Sequence, residues 1–286
     1  MVQPELGTAV VHGRLDGYEA LVEVVGCATT GIPTGHVIGV KDEAALLALL
    51  KEIAEELAGL DWASDDEEFE RLCVEAEMDF AEVVRPPIRR KPSSEEDLRR
   101  KELGDLGELL ALLHALSHLN ADPRTTMAKN AIKLYEQISE PGVDVLTFAL
   151  DLQSDEQHAL LPTDQVLLVE SKMRTDAGFA TMADDAARYF AGIKPHHWQR
   201  ELLLAQASLG ARGAIAASRR VKYFLPIWPC GDPIQRLAFL TSSVNAEEPI
   251  NLSSLDSVTR SEAAILSIDV DACREVVFAY RRAAEP

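Results

Sequence analysis

Charged side chains lie at the ends of two β-rich segments in the middle of the chain: one near the start of the first, two at the end of the second. Asp144 follows a glycine and a valine at the start of the first segment. Glu170 and Lys172 end the continuous apolar run that begins at Gln165. Residues two apart on a strand share a face, so Glu170 and Lys172 are predicted to point the same way. Charges at the end of an apolar strand are costly to bury unless they are paired or bind a ligand.

These groups have the chemistry of a hard-cation site. If the two predicted strands pair, Asp144 and Glu170 would hold one divalent cation, Mg²⁺ or Mn²⁺, between their carboxylates. Such an ion polarises a phosphoryl oxygen and lowers the pKa of a bound water. Lys172 would orient that water or offset charge in the transition state. The pattern therefore predicts metal-dependent phosphodiester hydrolysis, with Asp151 as an alternative to Asp144 among the ligands.

Apolar periodicity predicts the elements that position these residues. Helices are predicted at 41–60, 95–119, 125–139, 180–192, 196–209 and 271–283. Strands are predicted at 142–152, 165–172, 221–228, 236–243 and 263–269, after an N-terminal hairpin formed by 8–14 and 19–26. Ser94 and Asp97 predict a capping box that opens the 95–119 helix. The alternation predicts an α/β protein with a mixed central sheet flanked by helices.

Three short motifs resemble the core of the PD-(D/E)xK, or restriction-endonuclease-like, nucleases. They are the Gly-x-Asp strand with Asp144, the Glu-x-Lys strand with Glu170 and Lys172, and the Gly-Glu-Leu-Leu segment with Glu108. That core has a helix before the active-site strands, usually one more strand before the aspartate, and a helix–strand crossover afterwards. The resemblance implies DNA cleavage, and it implies that Glu108 is a third metal ligand and assists catalysis.

More narrowly, the same motifs over about residues 95–230 are similar to HamA, the nuclease-subunit family of Hachiman-type anti-phage defence. The partner in that family is a helicase, and the resemblance implies one here. The chain has no G-x-x-x-x-G-K-[ST] motif, so ATP hydrolysis by a P-loop would have to come from another subunit.

The formal net charge of −19 counts against unassisted binding of nucleic acid, because phosphate affinity depends on Lys and Arg. Residues 41–82 hold 15 acidic and 3 basic side chains, which makes this segment a candidate docking face for a partner or a shield for the site. Basic runs at 85–91, 99–101 and 219–222 keep the nucleic-acid hypothesis open.

Composition also bears on domains and compartment. The proline-rich segment 85–94 predicts a linker between an N-terminal α/β region with acidic helices (1–92) and a nuclease-like domain (93–286). The N-terminal region is either a small domain or an elaboration of the same core. Four widely spaced cysteines and the lack of a signal-like N-terminus predict a cytoplasmic protein with reduced thiols. The sequence has no apolar run long enough to span a membrane.

Two other functions fit the same residues. A nuclease-fold scaffold would bind DNA or a partner protein without turnover. An acidic adaptor would use the strand charges only as a salt bridge, with Glu170 and Lys172 exposed and far from Asp144.

Overall fold

Seven strands form one mixed sheet in the described part of the chain. The computed structural model describes residues 17–27, 35–58, 74, 94–119, 126–128, 143–211, 214–227, 234–244, 251–256 and 261–284. The strands are β1 (Val22–Cys27), β2 (Gly35–Val40), β3 (Thr126–Ala128), β4 (Val145–Ala149), β5 (Gln165–Arg174), β6 (Ile234–Ser242) and β7 (Ser261–Ser267). Their order across the sheet is β1-β2-β7-β6-β5-β4-β3.

Helices cover both faces of this sheet. They are α1 (Glu43–Ala58), α2 (Glu95–Leu119), α3 (Phe179–Gly192), α4 (Pro195–Ala211), α5 (Ile215–Val221), α6 (Ser253–Asp256) and α7 (Val270–Ala284). One apolar core lies between the sheet and α1, α2 and α7, and a second lies between the sheet and α3 to α6. The predicted α/β fold with a mixed central sheet is confirmed. None of the helices described combines the length and the apolar character needed to cross a membrane.

The strand directions bring several strand ends to one edge of the sheet. β5, β6 and β7 are parallel, while β4 is antiparallel to β5 and β3 is antiparallel to β4. The carboxyl ends of β5, β6 and β7 therefore meet at the same edge of the sheet, where β4 begins. Open α/β sheets commonly bind ligands at the carboxyl ends of their strands.

α2 has the bounds that its apolar period predicts. Ser94 Oγ accepts a hydrogen bond of 3.1 Å from the Asp97 N–H, which caps the helix. Leu106, Leu110 and Leu113 are fully buried in the first core. α2 thus packs along β4 and β5 and covers one face of the strands that carry the candidate site.

Two predicted elements near the site are wrong. The predicted helix 125–139 contains β3 at Thr126–Ala128 instead, and its later residues lie outside the described part of the chain. A three-residue strand is too short to show a period, and its pairing with β4 is a tertiary contact.

The predicted strand 221–228 is also wrong: α5 ends at Val221, and Lys222–Ile227 form a 3₁₀ helix. The Phe224 carbonyl accepts a hydrogen bond from Trp198 Nε1 at 3.3 Å instead of joining a sheet. β6 occupies the position beside β5 that this segment would need.

The described parts of the N-terminal region share the sheet and the core. β2 pairs with β7, and β1 pairs with β2; residues 8–14 of the predicted hairpin lie outside the described ranges. Residues 17–21, predicted partly as strand, form a helical turn that buries Tyr18 against the first core. This geometry fits an elaboration of one core. Residues 85–93 of the predicted linker, and with them the boundary at 92 and 93, fall outside the described residues.

Candidate active site

The strand register brings Asp144 and Glu170 together. Val145 is paired with Val169 at the end of the β4–β5 ladder, so the next position sets Asp144 opposite Glu170. Residues directly opposite each other in an antiparallel pair share a face, with Cβ atoms about 5 Å apart. Both side chains are buried. The register therefore brings these two predicted site residues to one face of the sheet.

A backbone contact fixes the Asp144 carboxylate. The Ser171 N–H donates a hydrogen bond of 2.8 Å to Asp144 Oδ2. Ser171 lies between Glu170 and Lys172, so the carboxylate of one strand is anchored to the backbone between the other two candidate residues. A hydrogen bond to a charged acceptor is among the stronger kinds, and this one orients Asp144 through the backbone of β5.

Lys172 pairs with Glu170 on the same strand. Its ammonium group forms an ion pair and hydrogen bond with Glu170 Oε1. The Glu170 side chain is 4% exposed and the Lys172 side chain is 26% exposed, so the lysine lies on the solvent side of the pair. The Lys172 Nζ also lies 5.7 Å from the centre of the Tyr189 ring on α3. The pairing offsets part of the cost of burying the Glu170 carboxylate.

The opposite face of β5 is occupied by α2. A Cβ atom at Gly107 would lie 2.6 Å from Ser171 Oγ and 3.2 Å from Met173 Cβ, so a glycine is required for this close approach. Odd-numbered residues of β5 thus face α2, whereas Glu170 and Lys172 face α3.

Glu108 is the residue after Gly107 on α2, and it is buried. Within the described residues, no three His, Cys, Asp or Glu side chains are grouped so that they could hold a metal ion. The structure therefore brings Asp144 and Glu170 together but does not add Glu108 to them. The helix that carries Glu108 packs on the other face of β5.

Asp151 lies at the other end of β4. Ala149 pairs with Gln165 at that end of the ladder. Glu170 is five residues further along β5, so it lies roughly 17 Å from Gln165. The Asp151 carboxylate accepts a hydrogen bond of 2.9 Å from the Gln153 N–H and shapes the turn after β4. The register favours Asp144 over Asp151 as the partner of Glu170.

The β4–β5 loop, residues 151–164, is held at that distant end by a buried arginine. Arg220 Nε lies 3.0 Å from Asp164 Oδ2, and both side chains have no exposed surface. Arg220 also donates to the carbonyl groups of Asp151 at 2.7 Å and Glu156 at 2.9 Å. The acidic residues of this loop are therefore kept away from Asp144. The basic run 219–222 presents less positive surface than its sequence indicates.

Two residues of this region were not singled out from the sequence. The role of Ser171 depends on its backbone N–H, and only the pairing of β4 with β5 reveals it. Arg174 lies two residues after Lys172 and so shares its face, a period-2 signal that the sequence does contain.

A comparison with protein-family models and with curated protein sequences finds no match to this chain. The chemistry of the site is therefore the basis for assigning a function.

Proposed function

We propose that the protein is a metal-dependent nuclease that hydrolyses DNA phosphodiester bonds through Asp144, Glu170 and Lys172. One observation carries the proposal. The Ser171 N–H donates a hydrogen bond to Asp144, the β4–β5 register runs on to set Asp144 opposite Glu170, and the Lys172 ammonium pairs with Glu170; together these contacts support a shared site. Two acids and a lysine at the edge of a sheet are the groups that such a reaction needs.

The donor set fits Mg²⁺ or Mn²⁺. These ions take oxygen ligands, and Mg²⁺ commonly binds through one or two carboxylates while water and substrate phosphate oxygens complete its shell. Asp144 and Glu170 supply two carboxylates, and a third is not required. When bound, the ion would polarise the phosphoryl oxygen and lower the pKa of a water molecule.

The chain's own residues have separate tasks. Asp144 and Glu170 would hold the ion, and the Ser171 N–H keeps Asp144 in place for that task. Lys172 would orient the attacking water and offset negative charge on the phosphate in the transition state. Its partial exposure leaves the ammonium within reach of a substrate that approaches from solvent.

The order of elements supports a restriction-endonuclease-like core. From α2 the chain continues through β3, β4 and β5, and after α3 to α5 it returns in β6, parallel to β5. β3 supplies the additional strand that the resemblance implies before the strand with the aspartate. DNA as substrate, a role in anti-phage defence and a helicase partner rest on the resemblance to the Hachiman nuclease subunit.

A non-catalytic scaffold with the same fold is the second candidate. It is favoured by the closed Glu170–Lys172 ion pair and by the lack of a three-ligand group in the described ranges. Such a protein would bind DNA or a partner without turnover. The acidic adaptor has less support, since that hypothesis expects Glu170 to be exposed and far from Asp144.

Cleavage of supercoiled plasmid with and without Mg²⁺ tests the proposal. The wild-type protein should nick or linearise the plasmid only with the metal. Asp144→Asn and Glu170→Gln should each reduce the rate by at least about a hundredfold, because each removes one anionic ligand.

Asp151→Asn is the matched control, since it makes the same chemical change at the other end of β4 and should keep full activity. Wild-type protein without metal-dependent cleavage would favour the scaffold. Full activity in Asp144→Asn would refute the assigned site.

A further inference from the structure

Two arginines share one aspartate beside the candidate site. Arg174 Nη2 lies 2.7 Å from Asp185 Oδ2, and Arg188 is hydrogen-bonded to Asp185 Oδ1. The Asp185 side chain is only 17% exposed, while Arg174 is 50% and Arg188 76% exposed. The carboxylate thus lies inside the cluster, and the two guanidinium groups face outwards. We call Arg174, Asp185 and Arg188 the paired-arginine cluster.

This cluster continues the surface of the site. Arg174 lies on the same face of β5 as Glu170, four residues further along, which is about 13 Å. Asp185 and Arg188 lie on α3, and the neighbouring residue Tyr189 contacts Lys172. A separation of this size lies within a few nucleotides of one DNA strand, so one substrate could contact both the site and the cluster.

The geometry suits the binding of phosphate. A guanidinium group has five N–H donors and matches phosphate oxygens in a bidentate manner. Asp185 engages one terminal nitrogen of each arginine and fixes its direction, which lowers the entropy lost when a ligand binds. Asp176 and Asp184 are also exposed, so the local formal charge alone does not attract a polyanion, and binding would depend on direct contacts with the outward guanidinium groups.

We propose that Arg174 and Arg188 contact the phosphate backbone of the DNA strand that lies in the site. This inference rests on the proposed function, because it names substrate contacts of the same site. The two arginines are binding residues, and Asp185 is the residue that positions them.

DNA binding in EDTA, measured by fluorescence anisotropy over a range of salt concentrations, tests the inference separately from cleavage. The double variant Arg174→Ala/Arg188→Ala should bind a labelled duplex about tenfold more weakly. It should also reduce the slope of log affinity against log salt by about 2, or about 1 for each lost phosphate contact.

Arg219→Ala/Lys222→Ala is the matched control. It removes the same formal charge from exposed residues at the opposite end of β5, near the 151–164 loop, and its affinity should stay within about twofold of wild type. Melting temperatures would establish that both variants fold.

An equal loss in the two double variants, an unchanged salt slope, or no DNA binding by the wild type would each overturn the inference. Wild-type binding that depends on the arginines, without any Mg²⁺-dependent cleavage, would refute the nuclease while supporting the DNA contacts.

Discussion

Replacing Lys172 by methionine should separate metal binding from catalysis. Methionine keeps an unbranched apolar stem beside Tyr189 but removes the ammonium that pairs with Glu170. In the metal-free protein this ammonium neutralises the carboxylate that a cation would bind. Its removal should therefore strengthen the binding of Mn²⁺ while it weakens cleavage.

The size of the gain follows from Coulomb's law. The Lys172 ammonium would repel a divalent ion held by the Glu170 carboxylate. Charges of +2 and +1 at a separation of about 5.5 Å repel by about 1.5 kcal/mol in the dielectric of bulk water, or about tenfold in affinity. The gain is larger at the lower dielectric of a partly buried site. Cleavage should fall by at least about a hundredfold, because the charge that offsets the transition state is lost.

Removing the Lys172 ammonium should also destabilise the metal-free protein. The metal-free variant should be less stable by up to about 3 kcal/mol, because a buried carboxylate has lost its ammonium partner. Saturating Mn²⁺ should raise the melting temperature of the variant more than that of the wild type.

Calorimetric titration with Mn²⁺ and the plasmid assay measure the two effects. Lys222→Met is the control, since Lys222 also lies over a tyrosine ring, at 5.1 Å from its centre, but away from the site. Unchanged or weaker Mn²⁺ binding by Lys172→Met, or undiminished cleavage, would refute the role given to this lysine.

Three further predictions concern the framework of the site. Gly107→Ala should lower the free energy of unfolding by about 1 to 3 kcal/mol in urea denaturation, because its Cβ would lie 2.6 Å from Ser171 Oγ. Adding Ser171→Ala should recover part of the loss, and no recovery would exclude that clash. Arg220→Met should lower the free energy of unfolding by about 3 to 5 kcal/mol, because it leaves the buried Asp164 carboxylate without its ion-pair partner. A loss below about 1 kcal/mol would contradict the stabilising role of this ion pair. Burial raises the pKa of the Cys273 thiol from 9.0 to about 12, so iodoacetamide at pH 8 should label Cys273 only after unfolding. Because folding raises the pKa of the Cys273 thiol, the contribution of this thiol to stability should be complete below pH 9 and should decline as the pH rises towards 12. Cys273→Ala should reduce this decline in stability.

Long elements with a clear period could be predicted from the sequence. The helix predicted at 95–119 is α2, because its leucines repeat at helical spacing and Ser94 caps its start. The apolar run from Gln165 to Lys172 lies within β5, since both faces of this central strand are covered by helices. Local pattern and tertiary packing agree in these segments.

Short or tertiary-determined elements could not be predicted. β3 has three residues, and its strand conformation depends on β4. Residues 222–227 contain strand-forming side chains, yet their backbone meets a tryptophan side chain, and β6 takes the position beside β5. A local pattern contains no information about which partner a backbone group will find.

The candidate site shows the same division. The shared face of Glu170 and Lys172 follows from a two-residue period, so the sequence was sufficient for that part. The choice of Asp144 over Asp151 needed the β4–β5 register. The sequence also could not show that Arg220, within a basic run, would be fully buried on Asp164.

A double-mutant cycle of Mn²⁺ affinity tests most directly whether Asp144 and Glu170 share one cation. Asn at 144 still offers an oxygen to the Ser171 N–H, so Asp144→Asn isolates the loss of charge. Asp144→Asn and Glu170→Gln should each weaken Mn²⁺ binding by about a hundredfold, and the double variant should be little weaker than either one, because both residues act on the same ion. A wild-type protein that binds no Mn²⁺, or single variants that keep its affinity, would contradict the account.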